Sequence, residues 1–273
     1  MKFVGVVFSA AFLMAVGGAH KLEYKSTGPT PVHYRYHSSM ETVQTVNGQK
    51  IKVTLVSSQT LSMTSAKADS VLVFSVTVDT AENKITLPGG KTEKVPSITI
   101  GKVVRTRLLP NGEELSSEWA DTQFAKSSAA SLNNIGGFFF RLPSTSADVG
   151  ATWTEDKSDT TGAPGTGEDG SIVIAGKIHY KLTEMEDVGG VSCARIEFTG
   201  KYTMTGSLII QANYVSAEGT GTITGSFLFD CAGGKVMKSV GASTQNFTMS
   251  TAGENGMSIP MSQKIKYDVS LVK

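Results

Sequence analysis

Apolar and polar positions alternate with a period of two along most of the chain. In Ser70–Asp79 (SVLVFSVTVD), Leu72, Phe74, Val76 and Val78 fall on one face, which is the signature of a half-buried strand. Val32–Val46 and Gln49–Val56 flank Asn47-Gly48. That dipeptide accepts the positive φ of a two-residue hairpin turn, so the two runs pair. Val95–Leu109 ends at the turn Pro110-Asn111-Gly112. Further on, Ile172, Ile174, Ile178, Tyr180 and Leu182 are in phase. Val191–Gly206, Leu208–Val215, Gly219–Asp230 and Lys235–Met249 follow, and Ile265, Tyr267, Val269 and Leu271 close the series. Strands in globular proteins usually run five or six residues, and several of these are much longer. Long antiparallel strands with one apolar face have to curl, and internal glycines such as Gly176, Gly200, Gly221, Gly225 and Gly241 suit points of bending. The pattern predicts a mainly β fold with one short helix, built on a long, strongly curved antiparallel sheet, half-barrel or barrel-like.

Two stretches interrupt the alternation. Asp121 is placed to cap a helix, and Phe124, Ser128, Leu132 and Ile135 recur at helical spacing before Gly136-Gly137. The expectation is a helix near 121–135, held to the sheet by Phe124, Leu132 and Ile135. Asp156–Gly170 (DKSDTTGAPGTGEDG) is rich in Gly, Asp and Thr and reads as a flexible loop. It separates a meander over 20–155 from hairpins over 171–273, and leaves open whether these form one domain or two.

The first nineteen residues stand apart. Lys2 precedes an apolar run from Phe3 to Gly18, and Gly17 and Ala19 are small. This is the layout of a signal peptide over 1–19, with cleavage between Ala19 and His20. The run falls short of the ~20 apolar residues needed to cross a bilayer, so the expectation is an exported protein, periplasmic or secreted, that is not transmembrane once the leader is removed. The first cysteine is Cys193, so no lipid-bearing cysteine follows the cleavage site.

Charge narrows the partners. The chain has 25 Lys+Arg and 24 Asp+Glu, and loss of Lys2 with the leader brings the formal charge to zero. Nucleic-acid binders carry a basic excess, so no nucleic-acid partner is expected. Cys193 and Cys231 are the two cysteines. In an oxidising compartment such a pair reads either as one disulfide or as two separate thiols. Strand phase puts Cys193 opposite the face of Ala194, Ile196 and Phe198, which works against pairing unless a bulge or strand end intervenes.

No catalytic, cofactor-binding or metal-ligating set emerges. His33 and His37 would stand roughly 13 Å apart on a strand, too far to share a metal, and His179 reads as a surface residue. Gly165–Gly170 spells G-x-G-x-x-G but lacks the preceding strand and following helix that a dinucleotide site requires. Asp156, Asp159, Glu168 and Asp169 match no calcium-loop spacing, and no G-x-S-x-G is present. The sequence therefore points away from an enzyme.

Leu142-Pro143, then Val149-Gly150-Ala151-Thr152-Trp153, and later Phe229-Asp230 with Gly234-Lys235, resemble a group of exported bacterial β-rich proteins classed as a domain of unknown function. More distantly, long curved strands with a helix laid on them resemble the half-barrels of periplasmic lipoprotein carriers. The first resemblance implies no activity. The second implies a cavity for an apolar ligand, a lipid or lipoprotein chain. The alternative is a structural or interaction module of the cell envelope with no small ligand.

Overall fold

In this computed structural model, residues 18–127, 138–162, 171–210, 213–251 and 256–272 are described. The elements are β1 (Val32–Val46), β2 (Gln49–Ala68), β3 (Val71–Thr86), β4 (Thr92–Val95), β5 (Val103–Leu108), β6 (Glu114–Trp119), α1 (Thr122–Ser127), β7 (Thr152–Gly162), β8 (Ser171–Asp187), β9 (Ser192–Ile210), β10 (Asn213–Asp230), β11 (Lys235–Thr251) and β12 (Ser258–Leu271). They form one sheet ordered β6-β5-β3-β2-β1-β12-β11-β10-β9-β8-β7, with β4 paired to the far end of β3. Neighbours are antiparallel throughout. The fold is mainly β with one short helix. β6 and β7 lie at opposite ends of the path, so the sheet curves without closing into a barrel.

Local chemistry explains most of the pairing. Asn47 and Gly48 take φ of 50° and 78°, which lets Val46 pair directly with Gln49. The non-local pairing is β1 with β12, where Tyr34 lies opposite Leu271 and Gln44 opposite Met261. It joins the early meander to the late hairpins at the middle of the sheet.

The curvature can be read from one residue. Tyr24 packs edge-on against Phe74 of β3 at 6.3 Å and against Phe229 of β10 at 5.2 Å. Those two rings therefore lie within about 12 Å of each other. Five strand spacings on a flat sheet would separate them by roughly 24 Å. The sheet wraps around Tyr24, and its concave face carries the core.

Two irregular segments fill one end of that concavity. In the first, Leu22 and Tyr24 are 1% and 3% exposed. In the second, Phe138, Phe140 and Leu142 are buried against Phe198, Phe227 and Leu182. Each fully buried large side chain contributes about 2 kcal/mol. The segments also satisfy their backbone: the Tyr24 N–H donates to Pro110 O (2.7 Å), Lys25 N–H to Gly234 O (3.1 Å) and Leu142 N–H to Asn111 O (2.8 Å). The Phe140 N–H donates to the Tyr24 hydroxyl at 2.7 Å. The Trp153 indole stacks on Tyr180 and donates to Arg141 O at 2.8 Å.

Two expectations change. The helix spans Thr122–Ser127, and the remainder of the expected 121–135 segment, with Leu132 and Ile135, lies outside the described residues. Its cap is as expected: Asp121 Oδ1 accepts from the N–H groups of Gln123 (3.1 Å) and Phe124 (2.9 Å). Phe124 packs on Trp119 and Val104 in a small cluster of its own, so this turn of helix sits on the β5–β6 edge of the sheet. The second change concerns 156–170. Asp156–Gly162 is strand, paired in register with β8 from Lys177 to Ser171, and only 163–170 lies outside the described residues. The Gly, Asp and Thr residues hide the strand because β7 lies at the edge of the sheet, while its partner β8 carries the apolar alternation.

Candidate functional site

The core rows and the remainder of the concave face belong to the same strand phase. A boundary row runs across the sheet through Tyr267, Gly241, Gly225, Phe198 and Tyr180, each opposite the next. On one side of it lies the filled core. On the other, the same face continues for several rows without Leu22, Tyr24 or the 138–142 segment.

The first row beyond the boundary is apolar: Leu55, Met40, Ile265, Ile223 and Ile178, interrupted by Ser243 and Gly200. These five apolar side chains are only partly buried. The second row is polar: Thr42, Gln263, Gln245, Gly221 and Tyr202. Its side chains hydrogen-bond to one another. Gln263 Nε2 donates to Thr42 Oγ1 at 3.2 Å, and the Tyr202 hydroxyl meets Ser243 Oγ at 2.8 Å and Gln245 Oε1 at 3.2 Å. Gln245 Nε2 donates to Gln263 Oε1. The outer end of the Tyr202 ring lies against Gly221, where a Cβ would strike it. Glycine there is what allows the strands to bend around the aromatic ring. Apolar rows resume with Met261, Phe247, Met204 and Ile174, then Ile259, Met249, Ala217 and Ile172. Met204, Val215 and Ala217 are buried, whereas Ile172, Ile174, Phe247, Met249 and Met261 remain partly exposed.

Same-face rows are spaced by two residues, or roughly 7 Å, so the four rows beyond the boundary cover roughly 20 Å. The result is an apolar trough with one polar belt. The opposite face is polar, with Glu41, Lys52, Lys264, Lys266, Thr222, Thr244 and Lys201, and Glu41 pairs with Lys52 at 2.6 Å. It also carries two open depressions. One, of about 340 Å³, is bounded by Thr224, Val240, Ala242 and Lys266. The other, of about 470 Å³, is bounded by Lys50, Glu218, Thr220, Asn246, Thr248 and Ser262.

The residues singled out from sequence are scattered. Ala19 and His20 directly follow Gly18 at the start of the described residues, and His20 exchanges two backbone hydrogen bonds of 2.9 Å with Ala147. His37 Nδ1 meets Ser58 Oγ at 3.0 Å, and His33 lies 3.9 Å from Asp79. Both histidines, and His179, are exposed. Gly165–Gly170, with Glu168 and Asp169, lies outside the described residues. Among the described residues, no three His, Cys, Asp or Glu side chains converge as a metal site. Cys193 and Cys231 are free thiols at the head of β9 and just past β10. Cys193 is 0% exposed, and burial pushes its thiol up to about 11. Tyr24, Tyr34 and Tyr180 are raised further by the same desolvation, and Tyr34 donates to Val236 O at 2.9 Å. These are structural hydroxyls, bonded and dry. Sequence reading missed the polar belt. The signal was present: Gln245 and Gln263 occupy positions in phase with Phe247, Met249, Met261 and Ile265.

No protein-family model matches the chain, and no curated protein matches it. Among solved structures, it is similar to the β domain of the Bordetella autotransporter BrkA, with 11% identity over 88% of this chain and 99% of that one, at a TM-score of 0.23. It is similar to OccK2 of Pseudomonas aeruginosa, with 6% identity over 91% and 100% of the two chains and a TM-score of 0.26. A DUF1329 family protein from Desulfovibrio piger is 9% identical over 89% and 87%, at a TM-score of 0.13. At these scores the likenesses establish neither a shared fold nor a shared activity. Among the described residues, no helix is long and apolar enough to cross a membrane.

Proposed function

We propose that this chain is an exported, non-catalytic protein of the cell envelope that holds one acyl chain of a lipid or lipoprotein in the concave trough. The observation that carries the reading is the continuation of the core face past the boundary row, where Met40, Leu55, Ile223 and Ile265 stay partly exposed. Burying them under an acyl chain would complete the core at about 25 cal/mol per Å² of apolar surface. The trough's extent of roughly 20 Å suits a chain from one leaflet, which spans roughly 15 Å. The polar outer face supports a protein surrounded by water on its convex side.

A second reading is a structural module with no small ligand. The belt favours it, because Thr42, Gln245, Gln263 and Tyr202 hydrogen-bond to one another and do not need a ligand's polar group. One experiment separates the two. The full chain is purified natively, its bound lipid is analysed by mass spectrometry, and a fluorescent fatty acid is titrated in. The carrier reading expects about one acyl chain per protein and loss of the probe signal in Ile223→Glu. Absence of both co-purified lipid and probe binding would leave the structural module.

A further inference from the structure

We infer that the trough selects an uncharged acyl ester, an acylglycerol, over a free fatty acid, and that the ester group sits at a polar corner formed by Ser38, Ser57 and Asn83. This selectivity depends on the trough holding an acyl chain, as proposed above, and narrows which head group the chain carries. The lining sets it. From β3 to β8, every described residue in the concave phase beyond the filled core is uncharged, whereas Glu41, Lys52, Lys177, Lys201, Lys264 and Lys266 all take the opposite phase. Charge returns to the concave phase on the two flanking strands. Glu93 of β4 stands opposite Ile85 and pairs with Lys91 at 2.6 Å. Glu155 and Lys157 of β7 stand opposite Ile178 and Gly176, and Glu155 accepts the Tyr180 hydroxyl at 2.7 Å. A carboxylate drawn between the flanks would leave water and meet no net positive charge.

The boundary row supplies the head-group site. On the other side of Tyr267 it continues through Ser38 of β1, Ser57 of β2 and Asn83 of β3. Ser57 is 7% exposed, and its Oγ accepts from Gln59 Nε2 at 3.2 Å, which leaves its own O–H to donate. Ser38 and Asn83 beside it are partly buried. The next row outward on the same strands is Met40, Leu55 and Ile85. Hydroxyl and carboxamide groups therefore stand one row, roughly 7 Å, from the start of the apolar lining. Such groups satisfy an ester carbonyl or a glycerol hydroxyl. They do not offset the burial of an unpaired carboxylate, whose desolvation costs more than neutral hydrogen bonds return.

The signature lies in pH. A fatty acid with a carboxyl pKa of about 4–5 enters such a lining only in its protonated form. Its apparent affinity should then fall about tenfold for each pH unit above that value, while an acylglycerol has no proton to lose. The protein's own titrating groups stand apart from this range or from the site. His33, His37 and His179 lie in the opposite phase to Tyr34, Tyr36 and Tyr180, and His20 pairs with Ala147 at the filled end. On the concave face itself the titratable groups between the flanks are the phenols of Tyr180, Tyr202 and Tyr267, and burial raises Tyr180 and Tyr267.

The test is calorimetric titration of the full chain, freed of co-purifying lipid, with dodecanoic acid and with 1-dodecanoylglycerol at pH 6 and pH 8. The expected result is acylglycerol binding of equal affinity at both pH values, and acid binding that weakens about a hundredfold from pH 6 to pH 8. Ser38→Lys, which puts a cation in the corner, should strengthen acid binding at pH 8 by about tenfold or more. Acid that binds wild type at pH 8 as tightly as the acylglycerol overturns the selectivity and leaves the carrier reading standing. Binding of neither probe at either pH overturns both. A folded Ser38→Lys with no gain for the acid overturns the placing of the ester at the corner. Because the wild-type titrations decide the selectivity, poor folding of the variant does not blunt the test.

Discussion

Replacing Tyr24 by Phe isolates one hydrogen bond at the centre of the concavity. The ring contacts with Phe74, Phe139 and Phe229, at 5.2–6.3 Å, are kept. What is lost is the hydroxyl that accepts the Phe140 N–H at 2.7 Å. Its own donation to Phe138 O is long, at 3.4 Å, and adds little. Phe140 is 8% exposed, so water does not readily replace the missing acceptor. A buried donor left unpaired costs about 1–3 kcal/mol, and about 2 kcal/mol is the expected loss. In urea, with an m-value of about 3 kcal/mol/M, the midpoint should fall by about 0.7 M. In a thermal scan the midpoint should fall by about 4–8 °C. Tyr24→Ala, which also removes the ring, should lose about 3–5 kcal/mol. A Tyr24→Phe loss below about 0.5 kcal/mol would refute the reasoning, since that is the scale of surface substitutions. It would mean that the Phe140 N–H is paired or hydrated without the hydroxyl.

Three further outcomes follow from the same structure. Burial raises Tyr24, Tyr34, Tyr36, Tyr180 and Tyr267, the last to about 12, and takes Cys193 from 9.0 to about 11. The folded state then holds these protons more tightly than the unfolded one, so their contribution is complete below pH 9 and is lost as pH climbs through 9–11 for Cys193 and 10–12 for Tyr267. Tyrosinate absorbance from the four buried rings, Tyr24, Tyr34, Tyr36 and Tyr180, should therefore appear together with the loss of circular dichroism, and its appearance well before unfolding would contradict their burial. Gly112→Ala should destabilise by at least about 2 kcal/mol, because φ is 78° and a Cβ would collide with Phe140 O. Gly190→Ala, with φ of 84° and open space around it, should cost only about 1 kcal/mol, and equal losses in urea melts would show that φ alone matters. In the folded reduced protein, Cys231 should be alkylated well before Cys193, which is wholly buried; equal rates by peptide mass would show that the head of β9 opens.

Local chemistry carried much of the fold. Asn47-Gly48 marks its hairpin because few other dipeptides take two positive φ values, and Asp121 marks its helix because its carboxylate reaches the free N–H groups of the first turn. The pairing of β1 with β12 was not legible. Val43 lies opposite Ser262 and Ser39 opposite Lys266, and nothing in either strand names the other. β7 was misread for a related reason: an edge strand needs polar side chains, and polar side chains are also what a loop shows. Tyr24 was passed over because its importance comes from touching strands five places apart, which no local window contains. Strand phase also kept Cys193 and Cys231 apart, and both are free thiols in the structure.

The meeting of β1 and β12 at the middle of the sheet has a consequence for how the molecule is made. A chain made N-terminus first can zip β1 to β2 and β2 to β3 early, but the other side of β1 stays open until β12 arrives. Its unpaired N–H and C=O groups are a template for any passing strand during that interval. The contacts that close the gap are among the longest in sequence, so they form late and slowly. A C-terminal truncation that removes β12 would therefore expose both β1 and β11 together. It should produce aggregation on refolding rather than a smaller stable protein, and a helper that shields strand edges during folding would be of most use at β1.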